Sequence, residues 1–152
     1  MTAWIAAAAA AMAAATACAG SAQAGPIEVR DAVLRAAPAG VPNTAGYMTI
    51  VNSGPAADRL VSAECACARR VEIHVSHVMN GMAMMMPATT VEAPAGGLVA
   101  FRPGGYHLMV MGLKAQLKDG ESQAVTLKFA HAGAVRVSFV ARSRIELPPP
   151  AH

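Results

Sequence analysis

After residue 25 the sequence consists of short segments in which apolar and polar residues alternate, and no segment keeps the spacing of an amphipathic helix. The runs are rich in Val and Ile and are separated by Gly, Pro, Asn and Asp, beginning with IEVRDAVLRA (27–36). About eight or nine strands with turn signals roughly every 8 to 12 residues are typical of two packed antiparallel sheets. The pattern therefore predicts an all-β fold, an antiparallel β-sandwich in a single domain.

The remaining predicted strands follow at regular intervals. They cover 47–52, 59–64, 70–79, 82–86, 97–101, 106–111, 124–130 and 134–142. PAGVPNTAG (38–46) is interpreted as a loop because of its Pro and Gly residues. The end of the chain, ELPPPAH, cannot join a sheet ladder because its prolines lack N–H groups. We therefore expect a domain over 25–145 and a flexible Pro-rich tail over 146–152.

The first 24 residues are typical of an export signal. An alanine-rich apolar stretch runs from Trp4 to Cys18 and ends in Ala22-Gln23-Ala24, the small-x-small pattern that signal peptidase accepts. Alanine over this length is too weakly apolar for a transmembrane helix, and no other stretch is long enough. A competing route is lipid anchoring at Cys18, which follows a loose lipobox. Both routes predict an exported protein, and we expect a bacterial periplasm.

Charge and motifs exclude several classes of function. Lys and Arg number 12 against 9 Asp and Glu, with no run of basic residues, so nucleic acid is not an expected partner. The sequence suggests no nucleophile–base pair, no Gly-rich phosphate loop and no cysteine spacing of a zinc site. A blue-copper protein needs a late cysteine ligand, and no cysteine follows Cys67. We therefore expect a protein that is not an enzyme.

Methionine is gathered rather than scattered. Of ten methionines, seven stand in two short clusters, each beside a histidine: Met79, Met82, Met84, Met85, Met86, Met109 and Met111. In a strand over 70–76, His74 lies opposite the apolar stripe, and in YHLMVMG His107 shares a face with Met109 and Met111. An i, i+2 pair lies about 7 Å apart at the backbone, which suits two ligands of one ion.

Thioether and neutral imidazole are ligands that favour Cu(I) over Ca(II), Mg(II) or Zn(II). A thiolate site would be exposed to oxidation in an oxidising compartment, whereas Met and His hold Cu(I) and release it. The alternative for any single methionine is adaptable core packing, which we expect for Met48 and for at least one of Met84, Met85 and Met86. Two other readings stay open: an envelope interaction module with a methionine-rich apolar surface, and an oxidation sink.

These residues resemble a known family. The spacing His74-x10-Met85-x21-His107-x-Met109 is similar to the copper motif of the periplasmic copper chaperone A (PCuAC-like) family. The surrounding sequence segments are similar as well: AGYMTIVN, DRLVSAE, RRVEIH, MMMP, FRPGGYHLMVMGLK and LKDGESQAVTLKFAHAG. The resemblance covers roughly residues 26 to 140, nearly the whole expected domain.

The resemblance implies a cupredoxin-like β-sandwich that binds one Cu(I) through His74, Met85, His107 and Met109. It also implies a carrier that supplies the CuA centre of cytochrome c oxidase, in some cases beside a thioredoxin-like assembly factor. The chain departs from the family at Ser76 and Val78, where methionines often stand. His77 and Met79 are nearby instead, which leaves open which side chains assist the site.

Cys65 and Cys67 precede His74 and have three readings: a disulfide, a second copper site, or a redox handle for a thioredoxin-like partner. We favour the disulfide because the compartment is oxidising. About 23 Å of extended chain separates Cys67 from His74, so the thiols are not expected at the same site. His131 is interpreted as a turn residue. His152 is interpreted as part of a disordered, solvated terminus, with a ligand of a secondary Cu(II) site as the alternative.

Overall fold

The structure is a computed structural model that describes residues 20–146, and strands account for all the regular structure there. The strands are β1 (Gly20–Ala24), β2 (Ile27–Arg35), β3 (Asn43–Asn52), β4 (Asp58–Cys65), β5 (Ala68–Met79), β6 (Met82–Pro87), β7 (Val91–Ala93), β8 (Gly97–Phe101), β9 (Tyr106–Leu113), β10 (Ser122–Phe129) and β11 (Gly133–Arg142). The all-β prediction is confirmed, with β1 and β7 as strands that the sequence pattern did not predict.

The central strands close on themselves. Their order is β2-β11-β10-β4-β5-β9-β3, and β3 pairs back with β2. The outer strands β1, β6, β7 and β8 add to β2, β5, β4 and β3. All pairings are antiparallel except that of β11 with β2, which is parallel. The result is the predicted β-sandwich, and its central strands have no free edge because each is paired on both sides.

Alternate residues of the strands fill one interior. The largest fully buried side chains include Phe101, Phe139, Leu34, Leu108 and Ile50. Each such side chain contributes roughly 1.5–3 kcal/mol on leaving water. Met48 is only 1% exposed and belongs to this core, so its predicted packing role is confirmed. Stability of the sandwich therefore rests on ordinary apolar packing.

The predicted loop over 38–46 is wrong in its second half, because β3 begins at Asn43. Asn43 to Gly46 pair with β9, and the buried Thr44 hydroxyl donates to the Arg35 carbonyl at 2.6 Å. Gly46 allows β3 to approach closely, since a Cβ there would lie 3.0 Å from Leu34 Cδ2. Long-range pairing thus overrides the low strand propensity of this glycine- and proline-rich segment.

A two-residue turn joins β5 and β6 into a hairpin. Asn80 and Gly81 both have positive φ, 52° and 76°, as a type I′ turn requires. Pairing runs without a bulge from Met79–Met82 at the turn to His74–Pro87. Beyond Ser76, β5 no longer pairs with β9. The end of the hairpin therefore stands away from the sandwich and is exposed on both faces.

The two ends of the chain carry predictions that the structure addresses only in part. Residues 1–19, including Cys18, and 147–152, including His152, lie outside the described residues. Gly20–Ala24 pair with the start of β2, so cleavage after Ala24 would remove β1 and leave β2 between β3 and β11. Within 20–146 no helix is long and apolar enough to cross a membrane.

Asp58 ties the start of β4 to the turn between β10 and β11. Its buried carboxylate accepts hydrogen bonds from the backbone N–H groups of Arg59, His131 and Ala132 at 2.7, 2.9 and 2.8 Å. Burial acts to raise the pKa of Asp58, but the three N–H donors together outweigh it and hold this pKa below its usual range. His131 is a turn residue here, as predicted.

We expect Asp58→Asn to lower the free energy of unfolding at pH 7 by on the order of 2 kcal/mol, because charge-assisted hydrogen bonds are lost. Since the folded-state pKa of Asp58 is depressed, its contribution is complete above the unfolded pKa of about 4 and is lost as pH falls through the folded value. Urea unfolding followed by circular dichroism checks both effects.

The matched control for Asp58 is Glu64→Gln, which removes an exposed ion pair with Lys128 at 3.1 Å. An exposed pair contributes roughly 0.2–1 kcal/mol, so this variant should stay close to wild type. The difference in free energy of unfolding between wild type and Asp58→Asn should become smaller as the pH is lowered. A difference that stays the same at low pH would contradict the assigned role of the carboxylate.

Candidate metal centre

The pairing of β5 with β9 brings two histidines together. His74 and His107 are direct partners in the ladder, and directly paired residues project to the same face. Their ring centroids are 5.8 Å apart with an interplanar angle of 61°. Two predicted ligands that are far apart in sequence are therefore neighbours in space.

The same register separates a core face from a site face. Ile73 pairs with Leu108 on the core side, and both are buried. Glu72 pairs with Met109 and lies on the face of His74, one step along the ladder. The predicted i, i+2 arrangement of His107 and Met109 on one face is thus present, with Met109 half-buried.

Met85 reaches this face from β6. It pairs with Ser76, two residues after His74, so the three side chains project to the same side. Diagonal neighbours in a ladder lie about 7–8 Å apart at the backbone, a span that a long thioether side chain crosses. Met85 is 60% exposed, whereas His107 is 5% exposed. The four predicted ligands share one face, which ranges from the buried His107 and the partly buried His74 to the exposed thioether of Met85.

Hydrogen bonding sets the tautomer of His74. Its Nε2 lies 2.8 Å from Glu72 Oε2, and a carboxylate only accepts, so Nε2 carries the hydrogen in the neutral ring. Nδ1 is buried without a hydrogen-bond partner and holds the free lone pair. The hydrogen bond from His74, with Arg70 3.2 Å away, holds the pKa of Glu72 below its usual range. A buried lone pair without a partner is suited to a metal ion.

In His107 it is the other ring nitrogen, Nδ1, that makes the hydrogen bond. Its Nδ1 lies 3.1 Å from the Gly105 carbonyl, which can only accept, so Nδ1 donates and Nε2 is free in the neutral ring. Each ring thus has one nitrogen occupied by an oxygen acceptor and the other available. A second partner of this kind fixes the orientation of metal-binding histidines and raises their basicity. Each ring, when neutral, therefore has one nitrogen lone pair that is not engaged by these oxygen acceptors.

Several other candidate ligands lie away from these four residues, either on the opposite face or further along the ladder. By parity of the hairpin register, His77, Met84 and Met86 project to the opposite side from His74. Met111 shares the site face but pairs with Arg70, two ladder steps from His107. Within residues 20–146 no three His, Cys, Asp or Glu side chains converge in a manner that could hold a metal.

Cys65 and Cys67 form a disulfide across the turn between β4 and β5, the reading that the sequence favoured. The bond stands at the start of β5, whereas His74 lies seven residues further along that strand, about 23 Å in extended chain. The cysteines therefore do not complete the histidine site.

Sequence reasoning missed two parts of the site and one of its determinants. The sequence by itself assigns no role to Glu72, although an acidic residue two positions from a strand histidine is within hydrogen-bonding reach. The dipeptide Asn80-Gly81 between two strand runs is the signal that would have predicted the hairpin and the face of Met85. The Gly105 carbonyl has no signature in sequence, because any residue supplies one.

Comparison with known proteins places this geometry in context. The sequence profile of a family described as "Putative lipoprotein LpqE-like" matches residues 27–141. "Putative lipoprotein Lxx21020" of Leifsonia xyli subsp. xyli (strain CTCB07) is 35% identical over 109 residues, 71% of this chain and 64% of that protein. The chain thus spans slightly less than two thirds of that relative's length.

Solved structures share the fold. Apo-DR1885 from Deinococcus radiodurans is 34% identical, with a TM-score of 0.61 and 95% of each chain covered. The Cu(I) form of DR1885 is 34% identical, with a TM-score of 0.58 over 76% of this chain and 77% of that one. A copper-bound PCuAC domain from PmoF2 is 25% identical, with a TM-score of 0.70 over 82% and 98%. The cupredoxin-like fold is confirmed.

We expect the two histidines to show opposite neutral tautomers in the metal-free protein above pH 7. His74 should carry its hydrogen on Nε2 because of Glu72, and His107 on Nδ1 because of Gly105. Long-range ¹⁵N–¹H correlation spectra distinguish the two tautomers, with exposed His77 as an internal reference. The same tautomer for both rings would contradict the arrangement.

Proposed function

Because the chain belongs to the LpqE-like family, which is also that of the PCuAC domains, we propose that it is a copper carrier of the bacterial envelope. The resemblance identified in the sequence is thereby confirmed. The observation that carries the proposal is the facing pair His74 and His107, each with one free nitrogen, beside Met109 and Met85. These four residues are the proposed ligands of one Cu(I) per chain.

The donor set suits a monovalent soft ion. Two imidazoles and two thioethers are uncharged, so they favour Cu(I) over hard divalent ions, which prefer oxygen donors. The complex keeps a charge of +1, and the ionised Glu72 lies beside it through its contact with His74. A carboxylate at this distance offsets part of the cost of placing the charge among half-buried groups.

Two solved structures with the same fold support copper as the cargo. The DR1885 structure with Cu(I) and the PmoF2 domain with copper share this fold. Sequence identity to apo-DR1885 extends over 95% of both chains, so the likeness is not confined to one motif.

The gradient of exposure suggests how the ion is passed on. His107 is buried and His74 is partly covered, whereas Met85 stands on the exposed hairpin. An incoming ligand of an acceptor therefore meets Met85 first and replaces it while both imidazoles still hold the ion. Copper then moves by stepwise ligand exchange without being free in solution. No redox step is needed, and we propose a carrier rather than an enzyme.

The acceptor follows from the resemblance and is part of the proposal. It is a cuproprotein of the envelope, the CuA centre of cytochrome c oxidase, with a thioredoxin-like assembly factor as a further partner. The carrier acts in the periplasm, either free after cleavage at Ala24 or anchored through Cys18. His152 remains the candidate for a secondary Cu(II) site.

A second candidate function is an envelope interaction module that uses its methionines as an apolar surface. It is favoured by the exposure of Met82, Met84 and Met85, which are 67%, 44% and 60% exposed. Leucine would serve such a surface as well as methionine, whereas leucine cannot bind copper.

We expect Met85→Leu/Met109→Leu to abolish tight binding of the first Cu(I) equivalent, because two soft donors are lost while volume and apolarity are kept. The measurement is an anaerobic Cu(I) titration against a chromogenic Cu(I) chelator. Met48→Leu in the core and Cys65→Ser/Cys67→Ser at the disulfide are the matched controls and should bind like wild type. Cu(I) binding by the double methionine variant as tight as that of wild type would contradict the proposal.

We expect Glu72→Gln to weaken Cu(I) binding about 10–100-fold, because outer partners of ligating histidines have effects of this size. Glutamine can still bond Nε2 but lacks the charge that favours the Cu(I) complex. Competition titration measures the affinity, with Glu92→Gln on β7 as the exposed control. Unchanged affinity would show that Glu72 only positions the ring.

A further inference from the structure

The β5–β6 hairpin has a second methionine-rich face, on the side away from His74. Because residues alternate between faces, the unbroken register places one set of side chains there. We call it the His77 face, and its members are His77, Met79, Met82, Met84 and Met86. None of them belongs to the site of the proposed function.

These methionines are not core filler. Met79, Met82, Met84 and Met86 are 54%, 67%, 44% and 46% exposed. Met48, by contrast, is 1% exposed in the core of the same protein. Leaving several large apolar side chains in water on a hairpin that stands away from the sandwich gives up the stabilisation that burial would provide. Their position is therefore explained by what they bind rather than by how they pack.

The register gives the His77 face the geometry of a ligand set. His77 and Met84 are direct partners across the ladder, which places their Cβ atoms roughly 4.5–5.5 Å apart. Met82 and Met86 are the diagonal neighbours of His77, at about 7–8 Å. The imidazole of His77 is exposed and makes no hydrogen bond within the part of the chain that the structure describes. Met82 and Met86 lie about 13 Å apart along β6, on either side of Met84. One nitrogen donor and three sulfur donors are thus grouped around the His77–Met84 pair.

We propose that the His77 face is a second Cu(I) site, with His77 and Met84 as its central ligands and Met82 and Met86 completing it. The hairpin from Ser76 to Pro87 contains no Asp or Glu, so a hard divalent cation finds no suitable donors there. This inference goes beyond the proposed function, since the two sites share no ligand.

The two sites differ in preorganisation. His74 and His107 are each oriented by an oxygen acceptor, at 2.8 and 3.1 Å, whereas His77 has no such partner among residues 20–146. Ordering exposed side chains on binding costs conformational entropy. The His77 site is therefore the weaker of the two. It holds Cu(I) on the exposed side of the hairpin while the His74 site retains its own ion.

Alternation explains the run Met84-Met85-Met86. Met85 serves the His74 face, whereas its two neighbours serve the His77 face. Adjacent residues of a strand project to opposite faces, so under this proposal each of the three methionines serves one of the two sites.

The test is an anaerobic titration of the purified protein with Cu(I), against a chromogenic chelator of moderate affinity. Wild type should bind two equivalents, the second at least about tenfold more weakly than the first. His77→Ala/Met84→Leu should lose only the second equivalent, since both replaced side chains are exposed and the fold is unaffected. Val78→Ala, on the same hairpin but on the opposite face, is the matched control and should keep both.

Methionine methyl resonances give a second readout. With ¹³C-methyl methionine, the second Cu(I) equivalent should shift the signals of Met82, Met84 and Met86 and leave that of the core Met48 in place. Shifts confined to Met85 and Met109 at both equivalents would overturn the second site.

The stoichiometry also separates the two proposals. A single equivalent that is lost only in Met85→Leu/Met109→Leu overturns the His77 site and leaves the carrier function intact. A single equivalent that is lost only in His77→Ala/Met84→Leu overturns the His74 site and moves copper to the His77 face. Two equivalents in the His77→Ala/Met84→Leu variant overturn the inference directly.

Discussion

The register of β5 against its two neighbours is the constraint on which the metal centre depends. Because side chains alternate along a strand, a slip of one residue would turn His74 towards the core and Ile73 towards the site. Burial of Ile73 and Leu108 opposes such a slip on the β9 side. On the β6 side the Asn80–Gly81 turn fixes the pairing. Core packing and a tight turn thus position the proposed ligands, which come from three separate segments.

The sandwich carries its stability away from this site. Its core is apolar and continuous, Asp58 ties β4 to the β10–β11 turn, and the Cys65–Cys67 disulfide closes the turn before β5. None of these features requires copper. A frame that is folded without its cargo keeps the ligands near their positions after release, so binding does not have to supply the free energy of folding.

The proposed site combines donors oriented by hydrogen bonds with an exposed donor. Glu72 and the Gly105 carbonyl orient the two imidazoles through their far nitrogens, while Met85 stands on an exposed hairpin. Oriented rings give selectivity and affinity, and an exposed thioether gives an acceptor a place to enter. A carrier needs both properties, since an ion held by buried groups alone would leave slowly.

Period-two alternation without helical spacing was enough to predict the all-β sandwich, since it reports directly which face of each strand is buried. Within one strand it also placed His107 and Met109 together, and donor chemistry indicated Cu(I). It could not reveal that β3 begins at Asn43, that His74 pairs with His107, or which nitrogen of each ring is free. Alternation alone also did not show which of Met84 and Met85 faces His74, although the Asn80-Gly81 turn is a local signal that contains this information. The start of β3 and the pairing of His74 with His107 join distant segments, and only the tertiary structure decides that pairing, because it depends on core packing that local sequence does not contain.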